Sequence, residues 1–347
     1  MTALALRQDS PGTETVPGPR RRLLGLVVAL VVLVVLLVLS VMIGSTAIAP
    51  SVVWDALFRS SADIDQFAIR DFRLPRTIVG LVVGVALGLS GALIQALTRN
   101  PLADPGVLGV HAGASFAVTV AVGLLGVRDA QGYMWFAFAG ALIVTLLVLA
   151  LGSTRQGSSP VVMVLAGVCV GAVLGGAREA LQLTNPDAFD AMRYWNAGSI
   201  VGRPLEVVWP ILPFFAVALI LAFAVSGPLN ALALGDELAV AQGVRLVRTR
   251  VLAVIALTLL AGGATAIAGP IAFVGLMVPH VARWIVGPHQ RWIFAYSILL
   301  APSLLLVSDI LGRIVMRPSE IPVGVVTAFV GAPVLVALVR RKKASGL

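Results

Sequence analysis

Few side chains in this 347-residue chain could do chemistry, and most of them suit binding rather than bond-making. Arg73 and Arg76 stand three apart in Arg73-Leu74-Pro75-Arg76, just ahead of an apolar run, and Arg313 follows Asp309 by four residues in another. A guanidinium offers a planar fork of donors that fits a carboxylate, so such arginines suit an acidic partner. Asp309 and Arg313 share one helix face at i, i+4, and an ion pair is their simplest account. Charges inside apolar runs are nevertheless functional suspects by default, and Arg178-Glu179 belongs with them. His280 is a lone histidine with no second metal ligand near it in sequence, so packing or capping outweighs ligation. The single cysteine, Cys169, excludes an internal disulfide and a cysteine metal cluster and reads as a packing residue. Ser90 in Gly88-Leu89-Ser90-Gly91, with His280 as base, is a nucleophilic pairing to weigh. No Gly-x4-Gly-Lys-Ser/Thr phosphate loop exists and no lysine precedes Lys342, so the chain cannot hydrolyse ATP by that route. No metal and no cofactor is expected.

The elements that must position these residues are membrane helices. The chain is 59% hydrophobic and 12% charged, with a mean hydropathy of +1.01. A soluble domain carries about twice that charged fraction. A span needs about 20 apolar residues, which leaves room for about ten. Spans are expected near 23–42, 77–97, 107–125, 133–151, 160–183, 204–225, 250–267, 271–286, 292–314 and 323–339. The long runs do not alternate as barrel strands would. The expected fold is therefore an all-α polytopic membrane protein, with one membrane domain over 20–343. Residues 1–19 read as a disordered cytoplasmic tail rather than a cleaved signal, and 344–347 as a short tail.

Arg20-Arg21-Arg22 and Arg340 to Lys343 place both termini in the cytoplasm, which requires an even number of spans. The net charge of +9 is scattered over short loops, so it reads as topology signal and not as a nucleic-acid stripe. Arg59, Arg70, Arg73, Arg76, Arg193, Arg203 and Arg317 then fall outside, against the usual bias, with Arg313 at a span end. A basic outer face would suit an acidic partner. Residues 50–58 read as a short amphipathic helix at that surface.

Gly80, Gly84 and Gly88 recur every fourth residue, as do Gly167, Gly171 and Gly175, giving flat stripes for close helix packing. Asn100 to Gly106 closes the second span in a turn stiffened by Pro101 and Pro105. The longest inside loop, 226–249, holds a short helix bracketed by Gly235 and Gly243. That helix lies on the membrane surface or docks in a groove on a soluble partner. Residues 269–283 carry Gly, Pro and His in an apolar run, the mark of a broken helix buried in protein or lining a cavity.

Together, 73–76, 90–114, 229–244, 269–283 and 308–339 resemble, in order, the FecCD-type permeases of bacterial importers for ferric siderophores, haem and cobalamin. The resemblance implies ten spans and a dimer with a second permease subunit, the same chain or a relative. It also implies cytoplasmic ABC ATPase subunits, an external substrate-binding protein and a bacterial inner-membrane location. Matched to that pattern, Arg73, Arg76 and Arg313 receive acidic residues of the binding protein. Asn100 and Leu102 form the cytoplasmic gate, with Ser159 and Pro160 where the other gate segment sits. Gly235, Asp236, Glu237, Ala239 and Gly243 belong to the coupling helix that rests on the ATPase. The expected function is import of a ferric siderophore, with cobalamin or haem as alternatives. Two rivals remain: an ion-coupled transporter, for which Asp309 and Glu179 are the candidate carboxylates, and a rhomboid-type protease, whose Gly-x-Ser-Gly element 88–91 matches.

Overall fold

The computed structural model describes residues 18–44, 48, 50–58, 64–154, 157–158 and 160–342. Arg59, Ser159 and, but for Gly18 and Pro19, the expected N-terminal tail lie outside the described residues, as do 343–347. The described chain is helical: α1 (Pro19–Met42), α2 (Pro50–Phe58), α3 (Ile64–Phe67), α4 (Leu74–Thr98), α5 (Val110–Gly123), α6 (Ala130–Gly152), α7 (Pro160–Thr184), α8 (Pro186–Trp195), α9 (Leu212–Leu232), α10 (Asp236–Ala241), α11 (Leu246–Ala268), α12 (Val274–Val286), α13 (Gln290–Val315) and α14 (Val323–Lys342). A π-helical stretch, Ala68–Arg73, leads into α4, and two-residue strands 153–154 and 157–158 pair between α6 and α7.

Among the described residues seven helices are long and apolar enough to cross a membrane, and three shorter apolar ones, Val110–Gly123, Val274–Val286 and Val323–Val336, stand at the other expected spans. Several boundaries differ from expectation by a few residues, three of them for evident local reasons. The sixth span starts at Leu212, not 204, because Pro213 sits in its first turn, where a missing N–H costs nothing, while 205–207 form a 3-10 turn. It runs to Leu232, so the loop expected over 226–249 begins only after that residue. α12 starts at Val274 because Gly269 (φ 74°) and Phe273 (φ 69°) hold the preceding stretch out of helix.

The bundle is ordered around α4 and α11, in each of which 78% of the apolar stretch is buried inside the chain, against 11% for α7. α4 and α13 pack antiparallel, as their contacts run in opposite order. A Cβ added at Gly80 would meet Leu306 at 3.0 Å, one at Gly84 the Pro302 backbone nitrogen at 2.7 Å, and one at Gly88 the Ser297 carbonyl at 2.7 Å. Their hydrogens let the two backbones touch, which in lipid replaces the hydrophobic drive available in water. The second stripe is unevenly used. Gly167 abuts the Val107 carbonyl, Gly171 meets Ala112 at 3.7 Å, and Gly175 has nothing within 4 Å. The Tyr296 hydroxyl donates to the Arg22 carbonyl at 2.7 Å, so α1 and α13 begin together at one end of the bundle. The other end carries Arg73.

Candidate functional site

At the Arg73 end, two of the arginines singled out by spacing, Arg76 and Arg313, converge on two carboxylates. Arg76 donates from Nε to both Asp309 oxygens at 3.0 Å and from Nη2 to Oδ1 at 2.6 Å, while its Nη1 meets Glu320 Oε2 at 2.5 Å. Arg313 approaches the same Asp309 from the next turn of α13, with Nε on Oδ2 at 3.0 Å. Two guanidinium groups and two carboxylates make a neutral quartet, and Asp309 is 0% exposed. A charge pair at such depth is tolerable only when each partner is paired and hydrogen-bonded.

The remaining donors go to the end of α1. Its last carbonyls have no intrahelical partners, and Arg313 Nη1 serves Ser40 and Ile43 at 2.7 Å each while Arg73 Nη1 serves Val41 at 3.2 Å and Met42 at 2.8 Å. The Ser40 and Thr77 hydroxyls lie 2.8 Å apart. Arg73, Arg76 and Arg313 are thus 7%, 7% and 1% exposed, each engaged by partners within the chain. Burial follows from the acceptors nearby: orphan carbonyls and two carboxylates hold the guanidinium groups better than water at that depth. The Asp309–Arg313 pairing was readable at i, i+4. Ser40 and Glu320 as its partners were not. Arg317 stands exposed beside the quartet and donates to the Gly44 carbonyl at 3.0 Å.

At the opposite end, α4 stops at Arg99, a non-glycine residue in the left-handed region (φ 52°). Asn100 Oδ1 then accepts from Leu102 N at 2.9 Å and Asp104 Oδ1 from Gly106 N at 2.8 Å, so side chains complete a turn whose backbone prolines cannot. Asn100 and Leu102 are exposed, Leu102 at 45%. Pro160 begins α7. Beside this turn lies α10, entered through Gly235 (φ 112°) and followed by Gly243 (φ 82°), two conformations that favour glycine. Ala239 is fully buried, while Leu234, Leu238, Val240 and Glu237 face outward. Asp236 pairs with Arg99 and, at 2.6 Å, with Arg250 Nη2 of α11.

Partial burial works against the Asp236 anion, but Arg250 and then Arg99 outweigh it and hold its carboxyl below the usual carboxylate range. A depressed folded-state pKa gives stability that is present above the unfolded value of about 3.9 and is lost as pH falls through the lower folded value. The pair is therefore expected to stay ionised from pH 5 to 8. The stability difference between wild type and Asp236→Asn should be flat over that range and under about 1 kcal/mol, since the groups are exposed. Thermal unfolding at several pH values checks this, and a difference that shrinks between pH 7 and 5 would contradict it.

Spacing missed His111 of α5, whose Nδ1 lies 3.0 Å from Thr265 Oγ1 on α11. Its only sequence signal was a polar residue inside an apolar run. Ser90 is fully buried and gives its proton to the Leu87 carbonyl at 3.0 Å, which leaves it poorly placed as a nucleophile. His280 is 5% exposed and sits edge-on to Trp284 at 5.1 Å, a packing role. Among the described residues no group of three or more His, Cys, Asp or Glu is placed to hold a metal ion.

The arrangement is a helical bundle with one stitched end and one end of exposed turns. The model of the FecCD transport family matches residues 32–341. The chain belongs to the FecCD transport family. It is 47% identical to the ferric enterobactin transport system permease protein FepD of Escherichia coli (strain K12), over 93% of this chain and 96% of that one. It is 36% identical to the probable siderophore transport system permease protein YfiZ of Bacillus subtilis (strain 168), over 91% and 95%. Among solved structures it is similar to an inward-facing metal-chelate type ABC transporter, with TM-score 0.78, 27% identity and coverage of 92% of this chain and 99% of that one. This FecCD-family chain is accordingly a multi-pass protein of the cytoplasmic membrane and a permease of the ABC type.

Proposed function

We propose that this FecCD permease imports a ferric siderophore, fed by an external binding protein and driven by ATP hydrolysed on separate cytoplasmic subunits. The observation that carries the reading is the end-to-end likeness to the ferric enterobactin permease. The geometry supports it. The end holding Arg22, Asn100 and α10 is cytoplasmic in this reading, and the outward Leu234, Leu238 and Val240 offer the ATPase an apolar face rimmed by Glu237. Gly235, Asp236, Glu237, Ala239 and Gly243 form that contact, and Asn100, Leu102, Ser159 and Pro160 the gate above it. The Arg73 end faces the carrier. Arg317 meets it at the surface, while Arg73, Arg76 and Arg313 fix that surface from beneath, and capture of a carrier carboxylate by Arg76 requires exchange with Glu320. α7, with Leu165, Val168, Val173 and Leu183 more than half exposed, faces lipid and the second permease subunit.

Asp309, the best buried carboxylate for an ion-coupled mechanism, is held by two guanidinium groups, which suits a fixed anion and not a cycling proton site. The test is uptake of iron-labelled ferric enterobactin, ferric citrate and a ferric hydroxamate, with labelled cobalamin and haem beside them, by cells expressing the chain with its carrier and ATPase. One ferric chelate should enter, with uptake halted by ATP depletion and sustained when the proton gradient is collapsed. Uptake of cobalamin or haem alone would overturn the cargo, and dependence on the gradient would overturn the drive.

A further inference from the structure

The cytoplasmic turn and α10 lie 137 residues apart in sequence, yet Arg99 and Asp236 join them directly. Asp236 is the first residue of α10, and its second oxygen is held by Arg250 in the opening turns of α11. One carboxylate therefore ties three elements: the end of α4 with its gate turn, the coupling helix, and α11. Two features mark this as more than a passing surface contact. Arg99 keeps a left-handed backbone conformation that L-residues seldom adopt and that glycine adopts freely, and this conformation closes α4. Arg250, which holds the other Asp236 oxygen, is the more covered partner at 25%, against 41% for Arg99 and 40% for Asp236.

We infer that the Arg99–Asp236–Arg250 clamp is a positioning device that transmits displacement of α10 to the gate turn 99–104. The inference rests on the functional reading above and deepens it. Gly235 and Gly243 flank α10 like swivels, so a push on its outward face moves it as a unit, and Asp236 then draws Arg99. The turn that follows is stiffened by Asn100, Pro101 and Asp104, so the pull reaches Leu102 without being absorbed. α4 itself is locked against α13 by its glycine stripe, which leaves the turn as the part able to give. Exposed ion pairs add little stability, so the clamp should matter for coupling while leaving the fold intact.

The experiment uses the full importer, permease with its ATPase and carrier, in proteoliposomes, with ferric enterobactin as probe. Uptake and ATP hydrolysis are measured together. Arg99→Gly removes the side chain and relieves the backbone, so its Tm should not fall, while substrate imported per ATP drops about tenfold, within the usual range for coupled sites. Arg99→Lys keeps the charge and should stay within about threefold of wild type. Asp236→Asn should match Arg99→Gly, and the double variant should be no worse than the poorer single, because both remove the same link. Unchanged import per ATP in Arg99→Gly, or losses that multiply in the double variant, would overturn the clamp while leaving the functional reading standing. A wild-type complex with no ATP-driven import of ferric enterobactin, of ferric citrate or of the ferric hydroxamate would sink that reading, and the clamp with it.

Discussion

Asp309→Ala should cost about 3–5 kcal/mol, because it strands two buried guanidinium groups without their shared anion. Arg76 would keep Glu320, and Arg313 would keep the α1 carbonyls and the Ser40 hydroxyl, none of them an anion for Arg313. α1, α4 and α13 meet at this point, so loosening is expected to begin at the Arg73 end. Thermal unfolding of the purified chain in detergent gives the value. A neutral replacement of the whole quartet, Asp309→Leu with Arg76→Met, Arg313→Met and Glu320→Gln, should recover part of the loss, since none of its charges is then left without a partner. It will not recover all of it, as the carbonyls of Ser40 and Ile43 lose their donor. A single-variant cost under about 1 kcal/mol would mean that the quartet is solvated and not structural. The same logic bears on carrier docking. Charge reversal of Arg73 and Arg76 would damage the bundle and reduce carrier binding for the wrong reason, so Arg317→Glu is the cleaner probe.

Gly84→Leu comes next in size. A side chain there meets the backbone of Pro302, which has no flexible end to swing away. Overpacking of that kind costs about 1–3 kcal/mol even in forgiving cores, and here it separates α4 from α13, the two helices on which the rest is hung. Gly175→Leu is the contrast. It enters open space, so the unfolding of a single chain should change by less than about 0.5 kcal/mol. If α7 faces a second permease subunit, the dimer should weaken in that variant, and only there. Unfolding of monomer and dimer, read separately, distinguishes the two, and equal damage from both substitutions would contradict the packing described.

Much of this was visible along the chain. Ten apolar runs marked ten helices because lipid demands continuous apolar length, and Gly80, Gly84 and Gly88 announced a close approach because spacing of four keeps one helix face. Asp309 and Arg313 were adjacent on that same local geometry. The short helix near 236 showed in its bracketing glycines. What stayed hidden was long-range. Nothing local tells that Arg73 spends its donors on the end of α1, or that Arg76 reaches residues more than 200 positions away. The outward arginines therefore looked open. The starts of α9 and α12 were obscured because hydropathy continues through Pro210 and Phe273, where helix does not. His111 carried no periodicity, and its partner Thr265 belongs to another helix.

On the proposed function, the work of transport comes from proteins bound at the two ends of the bundle. Purified chain in proteoliposomes, with ferric enterobactin on the carrier side, measures it directly. Accumulation against a gradient should be absent with the chain alone and should begin only when the ATPase, the carrier and ATP are all supplied. Sustained accumulation by the chain alone, driven by an ion gradient, would contradict the account.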